Sequence, residues 1–434
     1  MAGTRNEAAA LIRLRRDLHR HPEAAWQEYR TTALVERILR DAGLAILRLG
    51  DLLPDPGKDA PGCQEYAAQA KDRALAEDAP PEIIRKLRLS GLLAVLDTGR
   101  PGPRRGLRCD LDAVPVQEAE DAGHRPFREG FASAHPGISH ACGHDGHTAL
   151  AVHTALRLAA RRYSLRGSWV FIFQPAEEGC RGAWALRSLP QIRELDELYG
   201  FHLGICARDG EIVSDPDHFL VSTKFDVTIR GLSAHAGIEP EKGINALRCA
   251  CESALRLFEL GSLRPSARFN IGMFSSPNPR NAVADHVTFQ CECRDLTEKG
   301  NDEILERARE ILRETCSRHG CGLDTVITGR AASITNSPTL AAAVARAGAA
   351  AGLKEGAYRH FNACEDCGHL IRAVQDAGGE GAYFVIGNSI AAGHHSSRFD
   401  LSEESLPRAL DLLTCLLTAD SNSEAPDQPP QIRG

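Results

Sequence analysis

Between residues 8 and 42 apolar side chains recur at helical intervals, first Leu11, Leu14 and Leu18 and then Leu34, Ile38 and Leu39, and the run stops at Gly43. That spacing predicts helix with one apolar face. From residue 50 to 90 the periodicity gives way to charges and to Pro54, Pro56, Pro61, Pro80 and Pro81, with short helical stretches over 64–77 and 83–89. This segment reads as an insertion. Apolar runs of strand length follow at 92–96, 106–111, 169–173, 198–203 and 383–386, with a helical pattern such as 147–161 between some of them. Strands alternating with helices predict an α/β sheet covered on both faces.

From 223 to about 332 the rhythm changes: strand over 225–229, helix over 245–260, strands over 268–273 and 286–293, helix over 302–318, strand over 323–327. The order βαββαβ is the ferredoxin-like arrangement. It predicts an α+β domain (223–334) inserted into a discontinuous first domain (1–222 and 335–434). The tail beyond Ala419, with its Ser, Asp and Pro residues, is predicted to be disordered.

At 434 residues and 43% hydrophobic, the chain has material for two cores. The net charge of −7, with Lys and Arg dispersed, argues against a nucleic acid or an anionic membrane as partner. No apolar run is long enough to span a bilayer, and residues 1–21 lack the apolar core of a secretory signal. Fourteen scattered cysteines without an export signal point to reduced thiols and a cytoplasmic location. Small-molecule chemistry is the expectation.

That chemistry is legible in four motifs placed just after predicted strands: Cys109-Asp110-Leu111-Asp112, His140-Ala141-Cys142-Gly143-His144-Asp145, Gln174-Pro175-Ala176-Glu177-Glu178 and Gly393-His394-His395-Ser396. His202 ends a strand of its own. Sites in open α/β sheets form outside the carboxyl ends of strands, so these segments can share one cleft. Cys142, His144, Glu178, His202 and His395 supply thiolate, imidazole and carboxylate donors suited to Zn, and less decisively to Mn or Co. Bound metal would polarise an amide carbonyl and acidify a water. Of the paired glutamates, Glu178 is assigned to the metal and Glu177 to taking the proton from that water and delivering it to the leaving amine. His19 and His21, two residues apart on a helix, point in different directions and are read as packing or capping residues.

Together with Ser233-Ala234-His235-Ala236, the motifs around Asp110, His140–His147 and Gln174–Glu178 resemble peptidase family M20, in its amidohydrolase branch with hippurate and auxin-conjugate hydrolases. The likeness runs from about residue 11 to 418. It implies a metallopeptidase-like catalytic domain with a central mixed sheet flanked by helices, and an inserted ferredoxin-like dimerisation or lid domain. It further implies two divalent ions per protomer, Zn2+ or Mn2+, held by Cys142, His144, Glu178, His202 and His395, with Glu177 as general base. Asp110 and Asp112 would support the ligands from behind. His394 competes with His395, which is preferred because it directly precedes Ser396. His235, in the dimerising domain, would reach a neighbouring active site, and Arg294 and Asn281 are the candidates for holding substrate.

Departures stand at Asn281-Ala282-Val283-Ala284, where relatives often have Asn-Val-Val-Pro, and at Ala363-Cys364-Glu365-Asp366, where Gly-Ser-Glu-Asp is usual. Cys364 and Cys367 have redox spacing without a thioredoxin-like setting. The leading expectation is hydrolysis of an N-aroyl or N-arylacyl amino acid, p-aminobenzoyl-glutamate-like or indoleacetyl-aspartate-like, by a homodimer or by a heteromer with a homologous chain. The alternatives are an aromatic aminohydrolase on the same metal site, and a catalytically silent binding protein, against which the intact Glu177 and donor set argue.

Overall fold

The computed structural model describes residues 2–53, 55, 60 and 62–419. The tail expected past 419, like Pro54, Pro56 and Pro61 of the insertion, lies outside them. Among the described residues no helix is long and apolar enough to cross a membrane.

The strands are β1 (Ala45–Arg48), β2 (Leu92–Asp97), β3 (Arg104–Asp110), β4 (Ser168–Gln174), β5 (Glu197–Leu203), β6 (Glu211–Val213), β7 (Val221–Arg230), β8 (Arg268–Ser275), β9 (His286–Asp295), β10 (Gly322–Ala331), β11 (Lys354–Glu355) and β12 (Glu380–Ile386). Eight form one mixed sheet in the order β1-β2-β4-β3-β5-β12-β6-β11. At its centre β4, β3, β5 and β12 run parallel, and their side chains are buried almost without interruption, as parallel strands covered on both faces must be. One face carries a core that includes Leu11, Val35, Leu150, Val344 and Leu413, from the helices Ala2–Arg20, Tyr29–Asp41, His144–Ala160, Pro338–Ala350 and Leu406–Thr418. The opposite face carries a separate core with Leu186, Leu370, Ile371 and Val374. The three shortest strands, β1, β6 and β11, were not expected from the sequence; two to four residues carry too little alternation to be read.

The helical run expected over 8–42 is two helices, because Pro22 ends the first at Arg20. The intervening loop holds Glu23 and Glu28, both buried. In the insertion, the helices Ala67–Ala76 and Pro81–Ile84 lay Ala70, Ala74, Ile83 and Ile84 against Tyr29 and Ala33, a small satellite core.

The second sheet, β10-β7-β9-β8, is antiparallel throughout. With the helices Ala246–Phe258 and Glu298–His319 its element order is the βαββαβ read from the sequence. Phe225, Val227, Ile229, Val287 and Phe289 alternate into a core shared with Cys249, Leu257, Ile304 and Leu312. Its first and last strands lie side by side, Ser222 opposite Ala331, so the excursion starts and ends at one place.

Candidate metal centre and cleft

The parallel strands β3, β4 and β5 bring Asp110, Gln174 and His202 to one edge of the central sheet. Gly143 sits at φ +91° immediately before the helix His144–Ala160, a left-handed turn that disfavours a side chain and that places Cys142 just before the helix and His144 at its first position. Cys142 Sγ lies 3.6 Å from His202 Nε2. For a tetrahedral zinc ion, bond lengths of about 2.3 Å to sulfur and 2.0–2.1 Å to nitrogen give a ligand-to-ligand edge of roughly the same size. Glu178 Oε1 is 3.3 Å from His395 Nε2 and 3.9 Å from His144 Nε2. That oxygen is buried with no hydrogen-bond donor, as expected of an atom aimed at a cation.

The imidazoles are oriented from behind. His144 donates Nδ1–H to the main-chain oxygen of Asp112 at 2.8 Å, and His202 donates Nδ1–H to Leu203 O at 2.9 Å, so in each ring Nε2 is the nitrogen left for a metal ion. His147, equally buried, is spoken for: its Nε2 accepts the Leu203 N–H at 3.1 Å and its Nδ1 meets Asp110 Oδ1 at 2.7 Å. His395, at φ +62°, turns to Glu178, whereas the His394 ring packs on His202 and Phe399. His140 has both ring nitrogens buried without partners, and burial pushes it down to about 3.

The Glu177 turn is held by buried carboxylates. Asp112 Oδ1 and Oδ2 accept the main-chain N–H groups of Glu177 and Glu178, each at 3.0 Å, and Glu28 Oε1 accepts that of Ala176 at 2.8 Å. Burial, with the charges of Glu365 and Glu178 beyond it, raises the Glu177 carboxyl well above the ordinary range. Burial also raises the Cys142 thiol, as do the charges of Glu178 and Glu177. Glu178 is lowered: its burial is outweighed by His395 and His144. Burial of His144 is likewise outweighed, by Asp110, Asp112 and Glu178, and it rises to about 10. A donor set of one thiol, three imidazoles and a carboxylate, with an orphaned acceptor at its centre, fits divalent metal ions and their ability to draw protons off such ligands.

A model of peptidase family M20/M25/M40 matches residues 106–419. The chain belongs to that family. It is 35% identical over 413 residues to one of the chains of the p-aminobenzoyl-glutamate hydrolase of Escherichia coli (strain K12), with 94% of each sequence covered. It is also 35% identical over 405 residues to the indole-3-acetyl-aspartic acid hydrolase of Enterobacter agglomerans, covering 92% of this chain and 93% of that one. The solved aminobenzoyl-glutamate utilization protein of Klebsiella pneumoniae superposes with a TM-score of 0.79 at 28% identity, over 97% of this chain and 98% of that one. This M20 chain is a metal-dependent hydrolase acting on amide bonds.

Of the residues singled out in the sequence, Cys142, His144, Glu177, Glu178, His202 and His395 come together in one cluster of donor side chains, with Asp110 beside His144 and His147 and Asp112 beside His144. Asp112 orients His144 through its main chain, and its carboxylate holds the Glu177–Glu178 turn instead. Arg294, near the end of β9, is half-buried and ion-paired to Glu292 at 2.8 Å; Lys224 pairs with the same carboxylate at 2.5 Å. Beside the turn after Glu178 a cavity of about 550 Å³ is lined by Gly179, Arg181, Lys224, Asn270, Gln290 and Glu292. His235 and Asn281 lie on adjacent segments, where His235 pairs with Ala282 and Ala236 N–H donates to Asn281 O at 3.0 Å, and both are exposed. Among the described residues neither has a hydrogen bond to the metal-type cluster.

The sequence reading missed Glu28, His147 and Arg108. Arg108 is fully buried under the cleft, bonded to Gln174, Asp110 and Asp366 at 2.9 Å each. Its signal was a charge between Leu107 and Cys109 in a strand buried along nearly its whole length, which burial tolerates only when it is paired.

Proposed function

We propose that this protein hydrolyses the amide bond of an N-aroyl or N-arylacyl amino acid, releasing an aromatic acid and an amino acid with a carboxylate side chain. The observation that carries the reading is the buried, proton-hungry Glu177 beside a five-residue donor set. Cys142, His144, Glu178, His202 and His395 would hold two divalent ions, zinc or manganese; the short approach of His395 to Glu178 supports it over His394. When bound, such ions supply Lewis acidity toward the scissile carbonyl and lower the pKa of water.

The chain's own part is proton handling and positioning. Glu177, unencumbered at its carboxylate, accepts the proton of the attacking water and passes it to the departing nitrogen. Its elevated pKa suits both halves of that task. Arg294 and Asn281 are assigned to the substrate, Arg294 to the leaving-group carboxylate. The acyl class follows from relatives that act on p-aminobenzoyl-glutamate and indole-3-acetyl-aspartic acid. Assembly is proposed as a homodimer through the second sheet, with His235 serving the neighbouring cleft, or as a heteromer, in keeping with a relative that is itself one component of a multi-chain hydrolase. Residues 223–334 would then be the dimerising or lid domain and the rest the catalytic one. Among the described residues no cysteine is joined in a disulfide, which supports a cytoplasmic setting.

The test is product release by metal-reconstituted protein from a panel of aroyl- and indoleacetyl-amino acids, read by mass spectrometry with the Glu177→Gln variant in parallel. Turnover of an aroyl-glutamate or arylacyl-aspartate by wild type alone is expected. Release of ammonia from the ring, or equal turnover by Glu177→Gln, overturns the reading.

A further inference from the structure

Away from the cleft, three donor side chains converge where the chain leaves the central sheet for the second one. Asp217 and His218 lie between β6 and β7, and His360 lies just past β11. The two imidazole rings are 3.8 Å apart between centroids. Each turns Nδ1 onto the same oxygen, Asp217 Oδ1, at 2.8 Å for His218 and 2.5 Å for His360. A carboxylate oxygen and one nitrogen from each ring all lie within 4.8 Å of one another.

The two segments are already fixed against each other. Asp217 N–H donates to Arg359 O at 3.0 Å, Phe361 N–H to Asp217 O at 2.8 Å, Asn362 N–H to His218 O at 3.2 Å and Leu220 N–H to Ala363 O at 2.9 Å. His218 holds φ +56°, a conformation a non-glycine residue seldom takes. A ligand at this point therefore costs little backbone ordering.

We propose that Asp217, His218 and His360 form a separate binding site for one divalent transition-metal ion of the zinc class. Two imidazoles and a carboxylate suit zinc, copper or nickel, whereas magnesium and calcium call for oxygen donors throughout. The ion takes the place of the protons that the rings share with Asp217, and water completes a four-coordinate shell. Tetrahedral bonds of about 2.0–2.2 Å set donor atoms roughly 3.3 Å apart. The side chains, each 44% exposed, have room to open that far from their hydrogen-bonded spacing.

The position gives the site a role. The next residue on each segment points inward: Phe219 stacks on Phe361 at 4.6 Å, and Phe361 meets the His202 ring edge-on at 6.2 Å. An ion joining 217–218 to 360 clamps the aromatic wall behind His202 and cross-links positions far apart in sequence. It shares no donor with the cleft, so it stands whether or not the hydrolase reading does.

The experiment is equilibrium dialysis of the full chain against zinc, with bound metal counted by plasma mass spectrometry and thermal unfolding followed with and without zinc. The variants are His218→Asn, chosen because asparagine tolerates positive φ, and His360→Gln. Each is expected to bind one zinc per chain fewer than wild type, and to lose the part of the zinc-induced rise in melting temperature that belongs to this site. Equal zinc counts in wild type and both variants overturn the proposal, as does loss of all metal from both. Unfolding in a chelator, expected to match wild type, shows that the variants are folded; if one is not, the other decides.

Discussion

Glu28 holds the main-chain N–H of Ala176, at φ +57°, with its Oε1 at 2.8 Å, one residue before the proposed general base. Its other oxygen accepts the Ser90 hydroxyl at 2.7 Å. Burial, with the Asp112 charge added, pushes the Glu28 carboxyl up and favours its uncharged form. Glutamine mimics that form and can still accept from Ala176. Glu28→Gln is expected to keep kcat within a few-fold, whereas Glu28→Ala orphans a buried N–H and lowers kcat about 10–100-fold, the usual scale for a lost supporting partner. Steady-state kinetics on both variants checks this; wild-type kcat in Glu28→Ala would show that the turn holds itself.

Metal uptake is expected to release protons. In the metal-free protein His144 titrates at about 10 and the Cys142 thiol is raised, so both carry a proton at neutral pH that a metal ion must displace. Apparent affinity should climb with pH between 6 and 9. Calorimetry in buffers of different ionisation enthalpy should find about two protons released per chain filled at these ligands. The metal-free fold has the opposite dependence. Because the folded pKa of His144 lies above its unfolded value, its contribution is full below about pH 6.5 and is lost as the pH rises through about 10. Chelator-treated protein should therefore melt lower at pH 10 than at pH 6 by an increment that a His144→Gln variant lacks.

Arg294 and Lys224 share the single carboxylate of Glu292, which leaves one positive charge in excess beside the cleft. A substrate carboxylate can take up that excess. Arg294→Ala should raise KM for an acyl-glutamate about 10- to 100-fold, the worth of a charge-assisted hydrogen bond, and leave KM for a carboxyl-free amide nearly unchanged. A parallel rise for both substrates would assign Arg294 to folding alone.

His235 lies on an exposed loop with its Nδ1 accepting the N–H groups of Gly237 and Ile238 at 3.1 Å and 3.0 Å, which turns Nε2 outward. If it completes a neighbour's cleft, inactive His235→Ala and inactive Glu177→Gln protomers should regain activity when mixed. One of the two composite sites in each mixed dimer would hold both intact residues, so recovery is expected to approach a quarter of wild type. No recovery after verified protomer exchange would exclude the trans role.

The chemistry was more legible than its support. Glu177, Glu178 and His202 stand at or just past the ends of parallel strands that apolar runs mark out, so their convergence follows from parallel pairing; Cys142, expected just after a strand, comes instead from the loop that leads into the helix His144–Ala160. The ferredoxin-like order was equally plain, since alternating Phe225, Val227 and Ile229 cannot be helix. What sequence could not disclose is partnership at long range. Glu28 acts 148 residues from Ala176, and in a string it is one acid among many. Nothing in the string shows that His147, one helical turn after His144, spends its Nε2 on the Leu203 N–H. The break at Pro22 was readable, and helical periodicity on either side concealed it.

Strand β10 carries a bulge between Ile327 and Gly329, and there Gly329 is pressed so closely on Gly179 that a Cβ would collide with the Gly179 carbonyl. One residue further on, Arg330 N–H donates to Cys180 O at 2.8 Å. The second sheet is thus riveted to the peptide that follows Glu178. A displacement of that sheet would therefore be passed to the strap carrying Glu177 and Glu178, through the Gly329–Gly179 contact and the Arg330–Cys180 hydrogen bond.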